Sequence, residues 1–229
     1  MGINMKWNEI LNEIERISKY DDGEKFNYQA PSSSQYKKLP GDNSYWYAIK
    51  KSWSGDSVIY MIDKDNKNKL IGRFSIYKIT QESTKNTFKT KKLAGVNSIA
   101  THQDYRGKGI ATSLYGIVLN LMGYTLISGD SQSPGGRKNW TRLNNITGVE
   151  VKGYLTFNPR HRDDYVMDKI IDRLMKSGAQ YMGEDLWGKE YWAFDVIGGD
   201  KELTAYKNLF RIYDPMDVTT GLFAKWVGN

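Results

Sequence analysis

The chain contains no cysteine. Disulfides, thiolate metal sites and a cysteine nucleophile are thereby excluded, and the composition suits a reducing, cytoplasmic interior. Histidine is almost as scarce. His102 and His161 are the only two, and neither stands with carboxylates at the spacing of metal ligands, so no metal is expected. Long apolar runs are missing as well. No stretch approaches the roughly 18 uncharged apolar residues that a membrane-crossing helix needs, and the first residues lack the apolar run of a signal peptide. No membrane partner is therefore expected.

What the chain does contain is positive charge and aromatic rings. Lys and Arg number 33 against 26 Asp and Glu, a formal net charge of +7 that favours polyanionic partners: a nucleic acid, a phosphorylated cofactor or an acidic protein surface. The 16 Tyr and 7 Trp fall partly in short patches, Tyr45-Trp46-Tyr47 and Tyr191-Trp192-Ala193-Phe194, as expected of half-buried strands. Stacking on nucleic-acid bases is the functional alternative and requires exposed rings beside Lys or Arg. Abundant Lys, Asn and Tyr with only five prolines are compatible with a phage or low-GC bacterial source. A length of 229 residues suffices for one domain with a normal core, residues 1–229, and no internal repeat divides it.

Trp7, Ile10, Leu11, Ile14 and Ile17 recur at helical spacing and predict an amphipathic helix over 5–18, followed by an irregular polar segment to residue 44. Strands are expected at 45–51, 57–63 and 70–79, the last two joined by the polar run Asp63 to Lys69, in an antiparallel meander. Residues 80–92 are polar, and Leu93 to Thr101 reads as a strand that enters a glycine-rich turn. Ile110, Leu114, Ile117, Val118 and Leu121 then trace one face of a helix that Gly123 can end. A buried strand over 124–129, a helix over 135–145 and a strand over 149–157 follow. Met167, Ile170, Ile171, Leu174 and Met175 place a second amphipathic helix at 164–176, with Gly178 past its end, and strands at 190–197, 208–214 and 222–227 finish the chain.

The turn reads Thr101-His102-Gln103-Asp104-Tyr105-Arg106-Gly107-Lys108-Gly109-Ile110-Ala111. Glycines between a strand and a helix let several N–H groups converge at the positive end of the helix dipole, which is how a pyrophosphate is held. A P-loop needs Ser or Thr after Gly-Lys, and Lys108 is followed by Gly109. A dinucleotide fingerprint finds Thr112 where its third glycine belongs. Arg106-x-x-Gly109-x-Ala111, within Asp104-Tyr105-Arg106-Gly107-Lys108-Gly109-Ile110-Ala111, instead resembles the Arg/Gln-x-x-Gly-x-Gly/Ala signature of the GNAT acyltransferases. The resemblance covers about residues 45–157 and is clearest between 93 and 145.

That resemblance implies an α/β fold of the GNAT-like acyl-CoA-binding type, with a central mixed sheet flanked by helices. It divides the single domain into an N-terminal helix and irregular segment (5–44), an acyl-CoA-binding core (45–157) and a C-terminal extension (158–229) that would carry acceptor specificity. It implies acetyl-CoA or another acyl-CoA as cosubstrate. The N–H groups of Arg106, Gly107, Lys108, Gly109, Ile110 and Ala111 would bind its pyrophosphate, and Ile99, Ala100 and Thr101 would line its pantetheine in a gap between two parallel strands. Ser133 and Arg137, in Ser131-Gln132-Ser133-Pro134-Gly135-Gly136-Arg137-Lys138, would add contacts to pantetheine and phosphates. One main-chain N–H from Ile99 to Thr101 would stabilise the oxyanion.

The family's usual general base, a glutamate on the strand before the turn, is replaced here by Val96, Asn97 and Ser98, and Trp140 takes the place of its usual tyrosine acid. Asp130, Ser131 and Tyr124 are the substitute candidates for proton transfer, directly or through water. The expected activity is acyl transfer to an amine of a protein or small molecule. Two alternatives stand beside it: a GNAT-like enzyme that modifies nucleic acid, at a DNA base or a tRNA-linked amine, to which Arg160-His161-Arg162 would contribute charge, and a binder of this fold without turnover.

Overall fold

A computed structural model describes residues 28, 31–32, 35–42, 44–128, 134–158, 164–176, 178–195 and 219–228. The predicted helix at 5–18 and strand at 208–214 lie outside the described residues, and of the strand expected at 190–197 the described part is Glu190–Asp195.

The first half of the sheet is an antiparallel meander. A two-residue strand β1 (Lys37–Lys38) precedes β2 (Tyr45–Lys51), β3 (Ser57–Asp63), β4 (Lys69–Ile79) and, after a short helix α1 (Glu82–Thr87), β5 (Leu93–Thr101). Strand β3 is Ser-Val-Ile-Tyr-Met-Ile-Asp, a β-branched and aromatic run suited to a pleated surface. Asp63 ends it because its Oδ1 accepts from the N–H groups of Asp65 and Asn66, both at 3.1 Å, in an Asx-type turn.

Strand β5 feeds α2 (Ile110–Gly116), whose last turn widens to π geometry over Ile117–Leu121. Then come β6 (Thr125–Ile127), α3 (Pro134–Leu143), β7 (Val149–Phe157), α4 (Asp164–Lys176), β8 (Gln180–Glu184), β9 (Glu190–Asp195) and β10 (Thr219–Trp226). The ten strands form one sheet in the order β1-β2-β3-β4-β5-β6-β10-β7-β9-β8, in which β5 and β6 run parallel and the other neighbours antiparallel. The fold is therefore α+β, a mixed sheet flanked by helices. The last strand is not peripheral: β10 lies between β6 and β7.

Helices α2 and α3 cover one face of the sheet. Phe74, Ile59, Met61 and Leu126 meet Ile110, Leu114, Tyr115 and Trp140 there in a fully buried core. Burial of each such side chain stabilises by roughly 1.5 to 3 kcal/mol. On the opposite face Phe88, just past α1, packs edge-on against Tyr154, Tyr191 and Phe223 at 5.2 to 5.8 Å between centroids. Helix α1 falls in the stretch expected to be merely polar. With six residues and only Thr84 and Thr87 buried, it leaves no apolar period to detect.

Candidate cofactor-binding site

Strands β5 and β6 pair in parallel only at Leu93↔Thr125, Ala94↔Leu126 and Gly95↔Ile127. Past Gly95, β5 keeps its antiparallel partner β4 but no longer pairs with β6. A bulge marks the divergence. Ser98 faces Ser75 and Val96 faces Ile76, so Asn97 has no residue opposite it, and such an insertion bends a strand and increases its twist. The segment from Asn97 to Thr101 thus has backbone groups that β6 does not occupy. Ile99, Ala100 and Thr101, expected along the pantetheine, lie in this segment opposite Phe74, Arg73 and Gly72.

The turn that follows is braced from several sides. His102 N–H donates to Ile71 C=O at 2.8 Å, and the His102 imidazole caps the short 3-10 turn Gln103–Tyr105 by accepting from Asp104 N–H at 3.2 Å. Tyr105, 6% exposed, donates its hydroxyl proton to Asp63 Oδ2 at 2.7 Å and accepts from Asn66 Nδ2 at 2.9 Å. The hydrogen bond to Asp63 pushes the Tyr105 phenol above its ordinary value. Lys69 pairs with Asp104 at 2.7 Å, which holds that exposed carboxyl below the usual range. The ammonium groups of Lys69 and Lys108 lie 5.5 and 4.8 Å from the centre of the Tyr105 ring.

Gly107 and Gly109 take φ values of +83° and +76°, the left-handed region in which a side chain is strained. Gly109 is also the N-cap of α2. No side chain caps this helix, and its first hydrogen bond runs from Ser113 N–H to Gly109 C=O at 2.9 Å. Arg106 and Lys108 direct their N–H groups back to Gln103 and Tyr105 C=O, each at 3.3 Å. The N–H groups of Gly107, Gly109, Ile110 and Ala111 are not engaged in the turn or the helix. Helix α2 sits close to the sheet because Gly72 of β4 lies beneath its first turn: a Cβ there would come within 2.7 Å of Ile110 Cγ2 and 3.0 Å of Leu114 Cδ1.

The other candidates fall in different places. Tyr124 precedes β6 beside Lys92, whose ammonium lies 5.8 Å from the ring. The glycine turn is at the far end of β5, roughly 25 Å of strand away. Trp140, where the family's tyrosine was expected, is 2% exposed and packs edge-on against Tyr115 at 5.7 Å, so it is a core residue. Arg137 lies on the first half of α3, its side chain outside the described residues. Asp130, Ser131, Ser133 and the Arg160–Arg162 cluster also lie outside them. No group of three metal-ligating side chains and no helix long and apolar enough to cross a membrane occurs among the described residues.

Sequence reasoning missed the brace formed by Asp63, Asn66 and Tyr105, in which Tyr105 is about 40 positions from its two partners, and it missed Gly72. A glycine inside a strand of Lys-Leu-Ile-Gly-Arg-Phe was the available signal of close backbone approach.

A strand that leaves its parallel neighbour, then a left-handed glycine turn and an uncapped helix, stand together in the middle of the mixed sheet, an arrangement suited to an extended phosphorylated ligand. Comparison narrows that reading. The model of the acetyltransferase (GNAT) family matches residues 24–123, less than half of the chain but inclusive of the bulged strand, the turn and α2. No curated protein and no solved structure matches the chain. By this match and its fold the chain is GNAT-like, and acyl transfer, with acetyl-CoA as the family's general donor, is the activity to which that points.

Proposed function

We propose that the chain is an N-acyltransferase that moves an acetyl or related acyl group from acyl-CoA to an amine of a protein or small molecule. The observation that carries this is the set of N–H groups at Gly107, Gly109, Ile110 and Ala111, unengaged among the described residues, at the end of a strand that has parted from its parallel partner. Those groups would take the pyrophosphate at the positive end of α2, with the exposed Lys108 ammonium beside them. The pantetheine would run back along Thr101, Ala100 and Ile99, which brings the thioester towards the bulge at Asn97. A main-chain N–H of this segment would then face the developing oxyanion.

No carboxylate of β5 serves as base, because the strand has none. Asp130 and Ser131, which follow β6, remain the candidates for proton transfer, and Ser133 and Arg137 for additional cofactor contacts. Tyr124, which precedes β6 beside Lys92, remains a further candidate through water. The stretch 158–229 would shape the acceptor side through β8 and β9, which widen the sheet beyond β7.

Calorimetric titration of acetyl-CoA into the wild type and into Gly109→Trp tests the proposal. Micromolar binding by the wild type, lost in a variant whose circular dichroism is unchanged, is expected. Failure of the wild type to bind at sub-millimolar acetyl-CoA would overturn it.

A further inference from the structure

Arg73 occupies β4 on the face of the sheet opposite α2, between Tyr60 of β3 and Ala100 of β5. Its Nη1 donates to Ser98 Oγ at 3.0 Å, and the guanidinium lies 4.7 Å from the centre of the Tyr28 ring. Ser98 immediately follows the bulge residue Asn97, so this cation stands where β5 parts from β6. The surrounding strip is polar and uncharged: Ser75 faces Ser98, and Asn97 Nδ2 lies 3.5 Å from Ser75 Oγ. Among the described residues no carboxylate pairs with Arg73.

A guanidinium has five N–H donors in a rigid fork. One serine oxygen and one ring face use a small part of that capacity, and Arg73 is half-buried, where an uncompensated cation is costly. The ring and the serine fix the plane of the fork, which matches the two oxygens of a carboxylate or phosphate. We propose that Arg73 binds an anionic group of the acceptor, so that the preferred acceptors are amines carrying a carboxylate or phosphate near the nucleophilic nitrogen. This rests on the acyltransferase reading, which brings the thioester to the bulge that Ser98 adjoins. It also bears on the missing glutamate. An anion next to an amine holds it as ammonium, whereas pairing of that anion with Arg73 removes the effect and eases loss of the proton.

The test uses matched acceptors and direct binding. Thiol release from acetyl-CoA is followed with glycine against glycinamide and with phosphoethanolamine against ethanolamine, for the wild type, Arg73→Met and Arg73→Lys. The wild type is expected to favour one anionic member at least tenfold in kcat/KM, chiefly through KM, and which pair shows the effect tells carboxylate from phosphate. Arg73→Met should erase the preference while leaving acetyl-CoA affinity unchanged, and Arg73→Lys should restore part of it. Equal use of charged and neutral amines by the wild type, or a preference that survives in Arg73→Met, overturns the proposal. Inorganic phosphate titrated by calorimetry decides independently of turnover. With acetate titrated alongside as the probe for a carboxylate, a component of either anion's binding that is lost in Arg73→Met supports the anion site even if acetyl-CoA does not bind and the acyltransferase reading falls; no such component for either anion overturns it.

Discussion

Tyr105 shows how one side chain converts a flexible glycine turn into a fixed one. Its ring is buried beneath two lysine ammonium groups, and its hydroxyl bridges Asp63 and Asn66 at the β3–β4 turn. Replacement by Phe keeps the ring and removes both hydrogen bonds. The Tyr105→Phe variant is expected to lose about 1 kcal/mol in urea unfolding, the usual net contribution of such bonds. Acetyl-CoA affinity should fall severalfold, because the turn is no longer held to Asp63 and Asn66 at the β3–β4 turn. Asp104 provides the contrast. Its pairing with Lys69 is solvent-exposed, and exposed pairs contribute little, so Asp104→Asn should leave the urea midpoint where it is. A midpoint shift in Asp104→Asn as large as that of Tyr105→Phe would show that the ion pair, not the phenol, fixes the turn. At this scale the sequence was half legible. Arg106, Gly107 and Gly109 announce a phosphate-type turn by local chemistry, whereas the partners of Tyr105 lie about 40 residues earlier and no local pattern connects them.

The elements around the turn depend on how closely α2 approaches the sheet. Gly72 allows that approach, so Gly72→Val should wedge the first turn of α2 away from β4, by the contacts a Cβ makes with Ile110 and Leu114. Overpacking of this kind costs about 1 to 3 kcal/mol. The same displacement moves the N–H groups of Ile110 and Ala111, so acetyl-CoA affinity should drop at least tenfold. Gly116 is the control within the same helix: its backbone is right-handed, and an added Cβ meets nothing within 4 Å. Gly116→Ala should be neutral or stabilise by up to about 1 kcal/mol, with acetyl-CoA affinity unchanged. Equal effects of the two substitutions on the titration would separate α2 placement from ligand binding. Most elements could be read in advance because their periodicity is strong, as in β3, β5, α2 and α4. Helix α1 and strand β8 could not. Glu-Ser-Thr-Lys-Asn-Thr and Gln-Tyr-Met-Gly-Glu have no apolar rhythm, and both form where tertiary contacts with each other and with β9 supply what local propensity lacks.

For the whole molecule, the resemblance carried by the glycine turn implied a mixed sheet, but nothing in the sequence indicated that β10 would insert between β6 and β7. That placement rests on pairing between residues about 70 to 100 positions apart, such as Leu222 with Gly153 and Phe223 with Ile127. The buried Ser128 extends the seam, its Oγ accepting from Leu222 N–H at 2.9 Å while its own N–H donates to Leu222 C=O at 2.7 Å. The phenols buried against this sheet bear on alkaline stability. Burial pushes the Tyr115 phenol well above its ordinary value of 10.0, and it raises Tyr36 and Tyr191 to about 12 each. A phenol whose folded pKa exceeds its unfolded one contributes stability that is complete below about pH 10, where both states are protonated. That stability is lost as pH rises through the folded value, since the unfolded chain ionises first. Urea midpoints measured from neutral pH upward should therefore hold level and then fall between about pH 10 and 12. Tyr115→Phe preserves the ring against Phe74 at 4.7 Å and Trp140 at 5.7 Å, so its midpoint at neutral pH should change little while its alkaline fall becomes shallower. Parallel falls in the two proteins would mean that Tyr115 ionises without unfolding the core, and that lysine deprotonation governs the alkaline limit instead.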